Sequence, residues 1–127
     1  MMHTNPNSAA VDASTLGECI EACLDCSQSC TACADACLGE DDIKSLVRCI
    51  RRNLDCADVC DATGRLLSRQ TAFEPQMARA ALQACAEACR LCAEECERHA
   101  SHHEHCKICA EACRRCEQAC EALLQEL

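Results

Sequence analysis

Residues 19–37 read CIEACLDCSQSCTACADAC. The six cysteines, Cys19, Cys23, Cys26, Cys30, Cys33 and Cys37, follow one another at steps of four, three, four, three and four. An α-helix turns once in about 3.6 residues, so this alternation puts every thiol on one stripe of one helix face. A coiled coil or bundle would carry Leu and Ile there; this chain carries sulfur. At about 1.5 Å rise per residue the six thiols span roughly 27 Å of helix, a rail of soft ligands.

The same spacing recurs three more times. Inward positions of a second helix read Leu46, Cys49, Asn53, Cys56, Cys60, Thr63 and Leu67. Those of a third read Ala78, Leu82, Cys85, Cys89, Cys92, Cys96, His99 and His103, and those of a fourth Cys106, Cys109, Cys113, Cys116, Cys120, Leu123 and Leu127. The repeat is nearly literal: CIEAC, CADAC, CADVC, CAEAC, CAEEC and CEQAC each set an acid or Gln toward water between two thiols. Local signals bound the elements. Thr15 and Glu18 have capping-box spacing, with Asp12 and Ser14 as competing caps; Gly39 stands where a helix-ending glycine belongs; Asp41 or Asp42 can cap the next helix, and Pro75 fits a first turn. These predict helices over about 13–38, 42–70, 75–100 and 104–126, following a flexible arm over 1–12. Short connections between long helices make an all-α, antiparallel up-down-up-down four-helix bundle over 13–127, with a Cys-lined core.

Antiparallel packing sorts the ends. One pole collects Leu16, Leu67, Leu82, Leu123 and Leu127, an apolar plug. The other collects Cys37, the turn 39–42, Cys106 and the histidines His99, His102, His103 and His105, a ligand-lined mouth.

Composition narrows the chemistry. Of 127 residues 18 are Cys, while Phe occurs once and Trp and Tyr not at all. Such cysteine usage is common in small secreted disulfide proteins, yet residues 1–11 show no basic and apolar leader, and the spacing is helical rather than loop-like. The expectation is a cytoplasmic protein with reduced thiols. A net charge of −9 argues against nucleic acid and anionic membrane as partners, and no run approaches the roughly 18 apolar residues of a membrane span. A core of Cys and Ala merely as small hydrophobes would fill space poorly, and neighbouring in-helix thiols do not have disulfide geometry. Metal binding remains. Thiolate-rich sites select Cu(I), Zn(II) or iron–sulfur clusters. Zinc takes four ligands in a tetrahedron, which a straight rail arranges badly. Iron–sulfur clusters draw Cys from loop motifs, whereas CLDC, CTAC, CRLC, CKIC and CRRC here lie inside helices. Cu(I) accepts two or three sulfurs that neighbouring ions can share. Eight i,i+4 pairs account for 16 cysteines and leave Cys49 and Cys106.

With its Cys-x-x-x-Cys pairs along four helices, the stretch 15–127 resembles the four-helix-bundle copper storage proteins, and the lack of a leader resembles their cytosolic branch. The resemblance implies a non-enzymatic store of many Cu(I) ions per monomer and assembly as a homotetramer. It also implies all 18 Cys as metal ligands and His99, His102, His103 and His105 as the entry region, with helix 2, the sparse rail, least well matched. The rivals are a zinc or iron–sulfur thiolate protein and a thiol redox sensor, which needs an exposed low-pKa Cys. Met1-Met2-His3 suits a square-planar amino-terminal Cu(II) site, against the plainer reading of a loose arm.

Overall fold

The computed structural model describes residues 11–127; residues 1–10, and with them Met1-Met2-His3, lie outside the described residues. Four helices follow in order: α1 (Ala13–Leu38), α2 (Val47–Leu67), α3 (Pro75–His99) and α4 (Glu104–Leu124), with a 3-10 turn at Ile43–Leu46 before α2. Each helix packs against its two neighbours in the ring, α1 on α2 and α4, α3 on α2 and α4, while diagonal helices stay apart at the backbone level. That ring is the predicted up-down-up-down bundle. The space between diagonal helices is filled by the thiol stripes.

The caps differ in detail from expectation. Asp12 rather than Thr15 starts α1: its carboxylate accepts from the Thr15 backbone N at 3.0 Å and from Thr15 Oγ1 at 2.9 Å, satisfying an orphan amide of the first turn. Gly39 ends α1 in a right-handed conformation, its N–H donating to Ala36 O at 3.0 Å, so no left-handed backbone demands a glycine there. The second helix begins five residues later than expected because Asp42 does not cap it; its carboxylate instead accepts from His103 Nε2 and Ser45 Oγ, each at 3.2 Å. Three residues fall off its far end, where Ser68 closes α2 through its N–H and hydroxyl to Gly64 O. Pro75 opens α3 as predicted.

The leucine pole forms as read, with Leu16, Leu67, Leu82 and Leu123 buried and Leu127 half-buried against them. Burial of each such side chain stabilises by roughly 1.5–3 kcal/mol. A further leucine, Leu46, is fully buried at the end of the 3-10 turn that precedes α2. Close approach of α1 and α2 rests on Gly64, where an added Cβ would meet Leu24 Cδ2 at 3.2 Å, and on Ser27 Oγ donating to Ala57 O at 2.9 Å. Ion pairs tie neighbouring helices outside, such as Arg114–Glu97 between α4 and α3 and Arg115–Asp25 between α4 and α1. Being exposed, they contribute little each.

Candidate metal centre

All 18 cysteines are buried and free of disulfides. Neighbouring sulfurs stand 3.6–4.0 Å apart, within and between helices: Cys60 to Cys85 and to Cys89 at 3.6 Å, Cys30 to Cys113 at 3.6 Å, Cys26 to Cys113 at 3.7 Å. A disulfide needs about 2.05 Å, so these are non-bonded thiols in contact. Groups of four converge within 4.8 Å: Cys23, Cys85, Cys116 and Cys120; Cys26, Cys56, Cys60 and Cys89; Cys30, Cys92, Cys109 and Cys113; Cys33, Cys37, Cys49 and Cys106. Cys26, Cys30, Cys56 and Cys113 form another such group that shares members with these. Sharing is what bridging ligands require, and the heptad stripe produces it because each thiol sits one turn from the next along its own helix and faces thiols across the ring. Cys19 joins through Cys120 at 3.9 Å.

Burial governs the protonation of the outermost thiols. It pushes the Cys37 thiol from its ordinary 9.0 up to about 11, with repulsion from Cys49 adding to the effect. Cys106 is raised for the same two reasons. Both are neutral at pH 7 and shed a proton only when something replaces it.

At the mouth the four histidines have separate environments. His105 is the one in contact with the rail: its Nδ1 lies 3.4 Å from Cys33 Sγ and 3.7 Å from Cys106 Sγ, and its Nε2 lies 2.9 Å from Glu40 Oε2. A carboxylate only accepts, so Nε2 carries the proton and the Nδ1 lone pair faces sulfur. His103 stacks on His105 with centroids 5.3 Å apart. Its two nitrogens face two carboxylates, Glu40 Oε2 at 3.0 Å and Asp42 Oδ2 at 3.2 Å. The Asp42 hydrogen bond, foremost, raises the His103 pKa, and the same bond lowers that of Asp42. His99 turns to Glu95, Nε2 to Oε2 at 3.1 Å, and His102 is exposed on the turn.

Three acids went unforeseen in the sequence. Chain direction places the turn 39–42 at the histidine pole, but its residues signal only helix capping and not that Glu40 and Asp42 pair with His103 and His105. Glu95 is buried beside Cys96, where it meets Arg98 Nη1 at 2.7 Å, Arg52 Nη1 at 3.7 Å and His99. Its place on the inner shoulder of α3, next to the thiol stripe, was the available clue.

The copper storage protein family (Csp) matches residues 12–125. No curated protein sequence matches the chain. Among solved structures, the Streptomyces lividans copper storage protein Ccsp loaded with 10 copper equivalents is 55% identical with a TM-score of 0.96, the match covering 98% of this chain and 96% of that one. A cytosolic copper storage protein from Streptomyces lividans with five coppers is 56% identical, TM-score 0.91, over 94% and 99% of the two chains. Cu(I)-bound copper storage protein BsCsp3 is 34% identical, TM-score 0.77, over 87% and 98%. A four-helix ring with thiols at its core, matched over nearly its whole described length, makes this chain a member of the copper storage protein family.

Proposed function

We propose that the protein is a cytosolic, non-enzymatic store for Cu(I), holding many ions along the inside of the bundle on the thiolates of its 18 cysteines. The observation that carries this reading is the sharing of thiols between adjacent four-sulfur groups. Cu(I) is soft and content with two or three sulfurs, so a bridged rail holds about one ion per thiol. Zinc, which wants four sulfurs to itself, would fill it to about a quarter of that. A redox sensor needs an exposed reactive thiol, and among the described residues every cysteine is buried.

His105 is the entry ligand, because its metal-facing nitrogen already looks at Cys33 and Cys106. His103, His99 and His102 line the approach. Homotetramer assembly is supported by family membership and by large apolar side chains on the outside of α1 and α2, Leu24, Leu54 and Val47 among them; light scattering on the purified protein tests it. The storage reading itself is tested by anaerobic Cu(I) titration against a competing chelator. Uptake on the order of 18 ions per monomer is the expected result. Saturation at four or five would overturn it.

A further inference from the structure

The histidine mouth has an outer side. His105 turns Nδ1 to the thiols, and its other nitrogen meets Glu40 Oε2 at 2.9 Å. The same carboxylate oxygen lies 3.0 Å from His103 Nδ1. Local backbone makes this convergence possible. His103 is the extended residue that starts α4, φ −136° and ψ 112°, so its ring stacks on that of His105. Two residues apart within one helix, the rings would point roughly 200° away from each other.

The remaining nitrogen of His103 is held from behind. Its Nε2 donates to Asp42 Oδ2 at 3.2 Å. The Ser45 hydroxyl lies 3.2 Å from that same oxygen and 2.8 Å from the Asp42 backbone O. An imidazole fixed through one nitrogen by a carboxylate, itself hydrogen-bonded, is the arrangement that orients histidine ligands on metals. Asp42 fixes Nε2, which leaves Nδ1 as the ligand, and Nδ1 is the nitrogen that faces Glu40.

We propose that His103 Nδ1, His105 Nε2 and the Glu40 carboxylate form a Zn(II) site on the outer side of the mouth, and that zinc bound there closes the entry to Cu(I). Two imidazoles and a carboxylate are borderline and hard donors, a set that suits zinc and serves soft Cu(I) poorly. Zinc with ligands at about 2.0–2.2 Å in a tetrahedron sets them about 3.3 Å apart, a few tenths of an ångström from the spacing already present. Protons on the two nitrogens now stand between them and Glu40 Oε2, and a dication takes their place and releases them. Glu40 is a third exposed, so water can supply the fourth ligand.

Closure follows from the two nitrogens of one ring. With zinc on Nε2, the proton that His105 keeps is on Nδ1, where it points at Cys33 Sγ and Cys106 Sγ. The lone pair that would take Cu(I) is then gone. This second half of the proposal rests on the reading of His105 as the entry ligand; the zinc site itself does not.

The test uses the full reduced chain under anaerobic conditions, with Co(II) as a spectroscopic probe for the zinc site and Zn(II) itself for the entry. The first equivalent of Co(II) should give ligand-field bands without sulfur-to-cobalt charge transfer, and Glu40→Ala and Asp42→Asn should each weaken its binding. Cu(I) supplied in acetonitrile and followed by stopped flow should enter wild type more slowly after one equivalent of Zn(II), down to the rate of His105→Ala, with the final Cu(I) number unchanged. Zinc should not slow His105→Ala further, and it should slow Glu40→Ala less than wild type. Sulfur-to-cobalt charge transfer from the first equivalent would overturn the site, and wild-type uptake at the zinc-free rate would overturn the closure. If His105→Ala fills as fast as wild type, the entry reading fails and the closure with it, while the cobalt spectrum still decides the site. Saturation at four or five Cu(I) would instead overturn the storage reading.

Discussion

His105 Nδ1 stands 3.4 Å from Cys33 Sγ while its Nε2 is fixed 2.9 Å from Glu40 Oε2, so a carboxylate outside the core decides which nitrogen faces the thiols. The arrangement resembles the carboxylate–histidine pairs that orient metal ligands elsewhere. Imidazole is a borderline ligand and thiolate a soft one, so Cu(I) handed from His105 to Cys33 or Cys106 moves downhill.

Replacing His99, His102, His103 and His105 together with Ala should slow both uptake and chelator-driven removal, while saturation stays within about one or two ions of wild type. His105→Ala alone should reproduce most of the slowing, because His103 is committed to two carboxylates and His99 to Glu95. Timed chelator assays decide; unchanged rates in the quadruple variant, or loss of most of the capacity, would rule the gate out.

The apo protein should already be helical. Capping by Asp12, the Pro75 start and the leucine pole are independent of metal. Circular dichroism of metal-free, reduced protein is the check, and a coil that folds only on adding copper would contradict it.

Leu82 is fully buried in the leucine plug. Leu82→Ala should lower apo stability by about 2–5 kcal/mol, the range for emptying a packed leucine site. Its effect on Cu(I) capacity should be nil, since the plug is at the pole remote from His105. Denaturant melts paired with a copper titration separate the two readouts.

Alkali should weaken the apo fold. The Cys37 thiol titrates at about 11 in the folded protein against 9.0 ordinarily, so above pH 9 the unfolded chain sheds this proton before the native one does. Stability is fully present below pH 9 and is lost as pH rises toward 11. Copper-loaded protein, whose thiols have already exchanged protons for metal, should not show the loss. Thermal melts at pH 8 and pH 10.5, with and without Cu(I), test the sign.

The legible part of this molecule was its periodicity. Steps of three and four placed Cys19 through Cys120 on inward stripes, and the structure buries all of them; the leucine and histidine poles followed from chain direction alone. What escaped reading depended on contacts between distant turns. Asp42 looked like a helix cap and became a partner of His103, 61 residues away, which shifted the start of α2. Glu95 stands where CIEAC, CADAC, CAEAC and CEQAC carry Ala, and it is buried among Arg52, Arg98 and His99. Asn53 was visible as a gap in the α2 stripe, but the three thiols from other helices that converge on it were not.

Because the thiol stripe repeats with the heptad, capacity is an extensive property of this bundle, like the volume of a pipe. Seven more residues on each helix lengthen it by roughly 10.5 Å and add two inward positions per helix. A four-helix ring extended by one such slice gains about eight thiols, hence about eight ions at one per sulfur. The poles need not change. A protein of this construction can be resized by inserting or deleting whole heptads between its plug and its mouth, and its copper content should follow its length in a straight line.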